Sequence, residues 1–509
     1  MSIFWSGLVT ATAIWLAYLV ALVIYRLYFH PLAKFPGPKY AAVSRWHEYF
    51  YDVHLQGKFI FYIEGLHKKY GPIVRITPDE VHILDSDFWE TIFTKAGRVD
   101  KYDWLSGRFG NENSVLSTGP DDLHRTRRNA LNPFFSRKKI IELQGVIRQK
   151  LKLLLSKVQE YQDSGAPFAI NRGYMAFAED VIMQYCFAHD YNSLDAPNWN
   201  PILHDPFRAV SISGNMSLQF PLLPKILNTL PQSWLVKLEP SYALVFQMQR
   251  DFAKQIVDLK SGKIDTLAEK ASQGTVFSEL LHGDLPPSQK SDLRLQDEAQ
   301  LIIGAGLATT GWTLSVATFY LLSNPSVLAR LQNELKEAIP TADKSDPTAN
   351  LEWTELEKLP YLTACIKEAI RLSYSTTSRN ARLFSKPIQY GSWVIPPRTP
   401  ISMTIPFLNH DEDIFPNSTS FVPERWLDSP RTKNGSPLDR YFVGFGKGTR
   451  SCLGINLAYA ELYLTLAATF RYFDFELYET DKTDVKLAHD FFLPFPKLES
   501  NGIRVIAKA

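Results

Sequence analysis

Apolar side chains recur every three or four positions through most of this 509-residue chain, the spacing of helices with a buried face. The period is clearest over 138–160, 243–261, 296–323, 325–338 and 358–373. Strand-like runs are shorter and fewer: Ile73–Thr77, Val81–Leu84, Trp393–Ile395 and Ile503–Ala507. Proline and polar residues crowd 284–293 and 340–350, which are predicted to be surface loops. The pattern predicts a mainly α fold with a small β-sheet region, of α+β type.

The N-terminal stretch is apolar and carries no charge over residues 1–25. As a helix, Ile3–Tyr25 would be about 34 Å long, which is enough to cross a bilayer. Arg26, Lys34 and Lys39 follow it and no basic residue precedes it. The positive-inside tendency therefore predicts a single membrane span with the rest of the chain in the cytosol. A cleaved signal peptide is the alternative, but its basic start and shorter apolar core are both missing.

Composition excludes several classes of protein. Apolar residues make up 45% of the chain and the formal net charge is +2, so no basic surface points to nucleic acid. The three cysteines are Cys186, Cys365 and Cys452, too few for a disulfide framework. Most cysteine-based zinc or iron–sulfur sites are excluded for the same reason.

One cysteine lies in a run with a clear chemical meaning. The run Phe445-Gly446-Lys447-Gly448-Thr449-Arg450-Ser451-Cys452-Leu453-Gly454 matches Phe-x-x-Gly-x-Arg-x-Cys-x-Gly at every fixed position. Glycines let the backbone curl around the sulfur and aim N–H groups at it, which suits a thiolate bound to haem iron. Arg450 suits a charge-assisted hydrogen bond to a haem propionate. The alternative is a buried structural cysteine, the commoner role for a lone Cys.

This run is the signature of the cytochrome P450 family, and the chain resembles that family from end to end. The resemblance implies the cytochrome P450 fold and haem b, with Cys452 as the metal ligand and Phe445, Gly446 and Arg450 as further haem contacts. It also implies a transmembrane anchor over 1–28, a proline-rich hinge over 29–42 around Phe35-Pro36-Gly37-Pro38, and a haem-thiolate catalytic domain over 43–509. The aperiodic stretch 409–444 resembles the family's meander, a structured coil.

Two further elements of the family are recognised by their order along the chain. Glu368 and Arg371 form Glu-x-x-Arg, and Arg425 follows in Phe421-Val-Pro-Glu-Arg-Trp, so these three are expected to form a buried structural network. The run His124-Arg125-Thr126-Arg127-Arg128 resembles the Trp-x-x-x-Arg element, with His124 in place of Trp, and implies that His124 and Arg128 reach propionates. The basic run 125–139 is either a solvated helix face or part of a reductase docking surface.

The resemblance also implies a further arginine that binds a haem propionate. Arg382 falls at the position where the family has that arginine, and Arg379 is a near alternative.

Residues 302–311 resemble the family's distal helix, which crosses over the haem. Ala305 and Gly306 are expected to leave room for dioxygen, and the three nearby glycines to widen the helix locally. Thr309 matches the threonine that relays protons toward bound dioxygen, and Thr310 follows it. The predicted catalytic residues are therefore Thr309 and Thr310.

The family usually has an acid where this chain has Ala308, and alanine cannot supply a proton. Asp297 and Glu298 lie about 15 Å or more back along the helix, too far to substitute directly. Three accounts stay open: water ordered by Thr309 and Thr310, a substrate hydroxyl in the relay, or a reaction other than monooxygenation.

The resemblance further implies a substrate and partners. Similarity to fungal members of secondary metabolism, trichodiene oxygenase among them, implies hydroxylation or epoxidation of an apolar intermediate, either a terpenoid or a polyketide. The aromatic residues expected to line its pocket are Tyr102, Trp104, Phe109, Phe220, Phe491, Phe492 and Phe495. No flavin or nicotinamide fingerprint is present, so electrons are expected from a separate NADPH–cytochrome P450 reductase in the endoplasmic reticulum membrane. A haem-thiolate isomerase or dehydratase and a haem-binding sensor or carrier are the rival functions.

Overall fold

The helix Asp292–Ser323 is buried along most of its length, and the fold is organised around it. It begins where the Ser291 hydroxyl accepts a hydrogen bond from Arg294 N, and it ends at Asn324 before Pro325. From Leu301 onward its residues are apolar or small on all sides, the pattern of a helix that other helices surround. This architecture is seen in a computed structural model that describes residues 2–93, 97, 99–199, 202–227, 229–240, 242–262, 275–340, 346–349 and 351–508.

Helices make up most of the described chain, as predicted. The α-helices are α1 (Ser2–Ile24), α2 (Lys39–Val43), α3 (Trp46–Tyr49), α4 (Phe59–Tyr70), α5 (Trp89–Phe93), α6 (Asp121–Leu131), α7 (Arg137–Ser164), α8 (Ile170–Phe187), α9 (His204–Gln219), α10 (Leu222–Leu227), α11 (Gln232–Leu238), α12 (Tyr242–Lys260), α13 (Val276–His282), α14 (Asp292–Ser323), α15 (Pro325–Ala338), α16 (Trp353–Leu356), α17 (Pro360–Ser373), α18 (Ile405–Asn409) and α19 (Ile455–Tyr472). Helices α8, α12, α17 and α19 all pack on α14.

The strands are short and form small sheets. They are β1 (Ile73–Arg75), β2 (Val81–Ile83), β3 (Asp100–Lys101), β4 (Phe168–Ala169), β5 (Arg382–Leu383), β6 (Ile388–Tyr390), β7 (Trp393–Ile395), β8 (Pro400–Ser402), β9 (Phe475–Leu477), β10 (His489–Phe491), β11 (Leu493–Phe495) and β12 (Arg504–Ala507). The largest sheet has the order β1-β2-β8-β5-β3, in which only β2 and β8 run parallel. Because β5 pairs with β3, the sheet brings Arg382 opposite Lys101.

The segments that were predicted to be irregular are confirmed by the structure to different extents. Segment 284–293 contains a 3-10 turn at Pro287–Gln289 and the first residues of α14, so only part of it is irregular. Of segment 340–350, residues 341–345 and 350 lie outside the described part of the chain. The aperiodic stretch 409–444 is ordered coil, as expected, with 3-10 turns at Pro423–Trp426 and Leu438–Tyr441.

The N-terminal helix α1 has no buried residue among its described side chains. Among the described residues, only two helical segments are long and apolar enough to cross a membrane: Phe4–Phe29, which includes α1, and the core helix α14. The proline-rich segment that follows packs on the body of the protein. Phe35 is buried against Trp393, and Gly37 has a φ of +155° with its ideal Cβ position 2.5 Å from Arg75 O, so a side chain there would clash.

The predicted network of Glu368, Arg371 and Arg425 is present in the structure. Arg371 donates from Nε and Nη2 to the two oxygens of Glu368 at 2.9 and 2.7 Å, and Arg425 Nε donates to Glu368 Oε1 at 3.1 Å. Trp426 Nε1 and Val422 N also donate to this carboxylate. A buried carboxylate with this many donors is fully compensated, so it ties helix α17 to the segment around 420–426.

We predict that Glu368→Ala lowers the free energy of unfolding by about 3–5 kcal/mol, because it leaves two buried guanidinium groups without their counter-charge. The exposed pair Glu355–Lys358 offers the control, and Glu355→Ala is expected to cost less than about 1 kcal/mol. Urea unfolding of the full chain in detergent, followed by far-ultraviolet circular dichroism, measures both. Equal midpoints for the two variants would contradict the structural role of Glu368.

Candidate functional site

A cavity of about 360 Å³ lies between α14 and the loop that carries Cys452. Helices α6, α9 and α19 and strand β5 complete its walls, through residues that include His124, Phe207, Glu461 and Arg382. Its volume is in the range of small-molecule sites.

The cysteine loop holds the thiol toward this cavity. Cys452 N donates to Phe445 O at 2.8 Å, and Gly446 N donates to Val443 O at the same distance, so the loop folds back on itself. Gly446 and Gly448 have φ values of +65° and +75°, which favour glycine. The side chain of Cys452 is exposed and lines the cavity, whereas Cys186 and Cys365 are buried.

Three effects act on the Cys452 thiol. The protein that encloses the cavity removes water from around the thiol and so raises its pKa, although its surface toward the cavity is open, while the backbone N–H of Gly454 and the guanidinium of Arg128 lower the pKa. The last two favour the thiolate, the form that binds a metal. Arg128 Nη1 also donates to Ser451 O at 2.8 Å, so it holds the loop as well.

Basic side chains line the cavity next to this loop: Lys101, His124, Arg128, Arg382, Lys447 and Arg450. Burial and the neighbouring cations lower the pKa of Lys101 to about 7, of His124 to about 3 and of Arg382 to about 9. For these three groups, every charged neighbour that acts on the pKa is another cation. Buried charge of one sign without a counter-charge is unfavourable, so the cluster fits an anionic group that binds there.

Arg450 is held in place while part of it stays unpaired. Its Nη1 and Nη2 donate to Thr118 O and Gly119 O at 2.7 Å each, and its Nε has no partner among the described residues. A haem with two propionates would supply the missing negative charge beside a thiol that can bind its iron. The residues present therefore fit the cofactor that the resemblance implies.

The choice between Arg382 and Arg379 is decided by their partners. Arg379 Nη2 donates to Glu48 Oε1 at 2.6 Å, and its Nε lies 3.1 Å from Glu80 Oε1, so its charge is neutralised within the protein. Arg382 lines the cavity and donates only to the carbonyls of Asn380 and Ala381. Arg382 is thus the arginine available to a cofactor.

The distal helix presents small residues and hydroxyls to the cavity. Ala305, Gly306, Thr309 and Thr310 all line it, and Thr309 Oγ1 donates to Ala305 O at 2.9 Å. The hydroxyl of Thr309 therefore keeps its oxygen free to accept a hydrogen bond from the cavity side.

The expected widening of this helix is not seen, because α14 is a continuous α-helix through residues 302–311. Its glycines serve close packing instead. An ideal Cβ would lie 2.4 Å from Phe207 at Gly304, 3.0 Å from Ile182 at Gly306 and 2.7 Å from Met175 at Gly311. Helices α8 and α9 approach α14 closely at these points.

The two acids upstream of Ala308 have other partners. Asp297 accepts hydrogen bonds from the backbone and side-chain nitrogens of Asn113 at 2.9 and 2.8 Å. Glu298 is paired with Arg294 and accepts from Val115 N at 3.2 Å. Neither lines the cavity, so neither replaces the missing acid.

Sequence reasoning assigned no role to three charged residues of the cavity: Lys101, Glu461 and Lys447, which lies within the cysteine loop. Lys101 belongs to a strand of two residues, which is too short for a hydrophobic pattern to predict. Glu461 is a lone carboxyl in an otherwise apolar helix, and that contrast was the available signal. Burial raises the pKa of Glu461 to about 8, and a hydrogen bond from Thr310 opposes the rise.

The predicted aromatic lining is correct for two residues, Phe109 and Phe492, which contact each other edge to face. The other five lie away from the cavity: Tyr102, Trp104, Phe220, Phe491 and Phe495. Tyr102 bonds to Asp79 and Arg45, and Phe220 contacts Trp46 and Tyr49 at the surface. These residues lie in a 3-10 turn, at a helix end or in three-residue strands, which are too short for periodicity to indicate the way each ring points.

We predict that Lys101→Met weakens retention of haem, because it removes one charged donor from the cation cluster. A hydrogen bond to a charged group contributes about 1.5–3 kcal/mol, so haem loss to a scavenger protein should become about tenfold faster or more. Lys138→Met, on the exposed face of α7, is the control and should retain haem normally. Unchanged haem loss in Lys101→Met would remove Lys101 from the site.

Comparison with known proteins agrees with this geometry. The sequence model of the family described as Cytochrome P450 matches residues 37–499. The chain is 46% identical to Cytochrome P450 monooxygenase sdnE of Sordaria araneosa, over 98% of each protein. It is 42% identical to Cytochrome P450 monooxygenase MO6277 of Ascocoryne sarcoides, over 97% of each. It is 40% identical to Tryptophan 6-hydroxylase fscE of Fusarium equiseti, over 95% of this chain and 94% of that protein. The chain therefore belongs to the cytochrome P450 family and is an oxidoreductase of the monooxygenase type.

Proposed function

We propose that this monooxygenase binds haem b through the thiolate of Cys452 and inserts oxygen into an apolar secondary-metabolite intermediate, a terpenoid in our preferred assignment. The observation that carries the proposal is the exposed thiol of Cys452 in a cavity that buried cations surround without a counter-charge. Arg128, Arg382, Arg450 and His124 would hold the propionates. Phe445, Gly446, Ala305 and Gly306 would contact the macrocycle or the space above it.

The cofactor supplies one kind of chemistry when bound: haem with an axial thiolate activates dioxygen by reduction. The net reaction consumes a substrate C–H bond, dioxygen, two electrons and two protons, and yields an alcohol and water. Epoxidation of a C=C bond has the same balance. The protein therefore has to place the substrate, exclude bulk water and deliver protons.

Thr309 is proposed to deliver a proton from the distal side. Its own proton is donated to Ala305 O at 2.9 Å, so its oxygen accepts a hydrogen bond from a cavity water and would hold that water in place as the proton donor. Thr310 is the next hydroxyl along α14 and also lines the cavity. Both residues act as catalytic groups in this proposal.

The charge of the cavity supports an uncharged substrate. Among its described lining residues Glu461 is the sole carboxylate, and the cations are gathered beside the cysteine loop. A free amino acid, such as the one in the name of the Fusarium equiseti relative, would bring an ammonium group, and Glu461 gives it no counter-charge because burial raises the pKa of that carboxyl to about 8. A carbon-rich intermediate fits the remaining lining, in which Phe109, Phe207 and Phe492 take part.

The electron source and the location follow from the same assignment. We propose NADPH–cytochrome P450 reductase as the electron donor and the endoplasmic reticulum as the membrane, with 1–28 as a single-pass anchor, 29–42 as the linking segment and 43–509 as the catalytic domain in the cytosol. The exposed apolar helix α1 and the cations that follow it support this orientation. In the basic run 125–139, Arg127 is buried and bonds to Thr118 and Gln289, so the exposed members alone are offered to the reductase.

Ala308 favours a second candidate, a haem-thiolate isomerase or dehydratase that needs no proton delivery to dioxygen. Coexpression with the reductase in a host fed sesquiterpene and diterpene hydrocarbons separates the two. We predict products heavier by one oxygen atom, found by mass spectrometry, and only when the reductase is present. Products of unchanged or dehydrated mass that form without reductase would overturn monooxygenation as the reaction of this chain.

We predict that Thr309→Ala raises the NADPH consumed per product by about tenfold, since positioned proton transfer contributes at least that factor. The control is Ser315→Ala on the same helix, which also bonds to the carbonyl four residues back but does not line the cavity. Product and NADPH are measured on the reconstituted enzyme with a terpene that the feeding experiment identifies. Unchanged coupling in Thr309→Ala would remove this residue from the relay.

A further inference from the structure

Three uncharged polar side chains line the cavity on its distal side: Asn111, Ser211 and Gln300. They come from three different elements, the segment after the 3-10 turn Asp103–Phe109, helix α9 and the first half of α14. Asn111 is 2% exposed, Ser211 4% and Gln300 6%. Polar groups buried this deeply are normally paired within the protein, so any that are not need an explanation.

Contacts around Phe109 bring these three residues together as a polar cluster. Gln300 Nε2 donates to Phe109 O at 2.8 Å, and Asn111 lies two positions further along the same segment. Helix α9 packs on this segment, because an ideal Cβ at Gly214 would lie 2.6 Å from a side-chain carbon of the residue before Phe109. Ser211 is one turn from Gly214 on the same face of α9, so it lies beside the same segment.

Each member of the polar cluster keeps one polar atom free. Phe109 O takes the amide nitrogen of Gln300, so Oε1 is the atom left over, and no described residue donates to it. Asn111 Oδ1 accepts from Ser117 Oγ at 3.0 Å, and its Nδ2 has no acceptor in the described part of the chain. The Ser211 hydroxyl has no partner there either. None of these three atoms is sealed inside the protein, so they are open to the cavity that their side chains line.

A free acceptor and a free donor in one cluster match a hydroxyl group. A hydroxyl donates to Gln300 Oε1 and accepts from Asn111 Nδ2, while Ser211 offers either function. A carbonyl only accepts, so it would leave Gln300 unpaired, and a hydrocarbon would leave all three groups unpaired. Buried polar groups without partners are unfavourable, and a site built around a hydroxyl therefore rejects the analogue that lacks it.

The polar cluster is remote from the part of the distal helix where Thr309 lies. Gln300 precedes Thr309 by nine residues, which is about 13 Å along α14. A molecule bound to Gln300 by a hydroxyl therefore presents a distant part of its carbon skeleton to Thr309. That separation suits a skeleton of sesquiterpene or diterpene size.

We infer that the substrate of this chain is an alcohol, whose hydroxyl group binds Asn111, Ser211 and Gln300 while a distant carbon is oxidised. This inference rests on the proposed function and defines its substrate class more closely. The reaction that supplies the substrate must introduce a hydroxyl group into the hydrocarbon skeleton. The chain acts after that reaction, and its product carries a second oxygen function. The three residues determine specificity and take no part in proton delivery.

The test measures the binding of two matched pairs of probes to the haem-loaded full chain. Each pair is a hydrocarbon and an alcohol of related skeleton: cedrane with cedrol, and farnesene with farnesol. Dissociation constants are obtained from the shift of the haem Soret band when each probe is added. The ratio within a pair is compared between wild type and variants, so that partition of the probes into detergent cancels.

Two variants remove parts of the polar cluster, and a third is the control. Ser211→Ala removes a hydroxyl that bonds to no described residue, so it changes contact with a ligand and little else. Gln300→Met keeps the size of the side chain and removes the free acceptor. Ser213→Ala is matched to Ser211→Ala, because Ser213 lies on the same helix, is exposed, bonds to Val210 O and does not line the cavity.

We expect the wild type to bind the alcohol about tenfold more tightly than the hydrocarbon, or more, in at least one pair. Gln300→Met should reduce this preference about tenfold and Ser211→Ala about threefold, since each removes a hydrogen bond that only the alcohol makes. Ser213→Ala should keep the wild-type preference. A purely structural role of the cluster would weaken both members of a pair alike and leave their ratio unchanged.

A preference that either cluster variant lowers supports the inference. Equal binding of both members in both pairs, binding of neither alcohol, or a preference that both variants keep overturns it. If Gln300→Met does not bind haem, Ser211→Ala decides alone.

Turnover with the reductase separates the inference from the function beneath it. A hydrocarbon that is oxygenated as efficiently as its alcohol overturns the inference and leaves the monooxygenase assignment intact. With haem bound, the absence of any oxygenated product from these probes and from the terpenes of the feeding experiment overturns the proposed function, and the inference falls with it.

Discussion

Uncompensated positive charge beside the Cys452 thiol is the constraint on which the rest of this structure depends. Arg371 and Arg425 have Glu368, and Arg379 has Glu48 and Glu80, so these three cations are neutralised where they lie. Lys101 and Arg382 have no such partner. Arg382 lowers the pKa of Lys101, and Arg450 lowers the pKa of Arg382. A bound dianion offsets this cost, so binding of the cofactor and stability of the fold are coupled.

The two sides of the cavity differ in charge. The side of the cysteine loop carries the cations, while the side of α14 offers alanines, glycines and threonine hydroxyls. Close packing of α8 and α9 against the α14 glycines fixes this second wall, because added side chains at Gly304 or Gly311 would meet Phe207 or Met175. The side of the cysteine loop therefore suits an anionic cofactor, and the side of α14 suits an uncharged substrate. Among the described lining residues Glu461 is the one acidic group, and it lies where α19 packs on α14.

Sequence reasoning predicted the parts that a local pattern encodes. The long helices followed from periodicity, and the cysteine loop and the Glu368 network followed from motif and order. It failed where contacts between distant segments decide. Lys101 enters the cavity because β3 pairs with β5, and the glycines of α14 matter because of which helices face them. The packing of Phe35 on Trp393, which joins the proline-rich segment to the body, was likewise invisible in the local sequence.

The account is tested most directly by the spectrum of the purified, haem-loaded protein after reduction under carbon monoxide. Wild-type protein should give the long-wavelength Soret maximum of thiolate-bound haem, because Cys452 is the exposed cysteine in the cavity and the other two are buried. Cys452→Ser should lose that maximum while the fold, followed by circular dichroism, persists. A Soret maximum typical of non-thiolate haem in folded wild-type protein, or the absence of bound haem, would contradict the central claim.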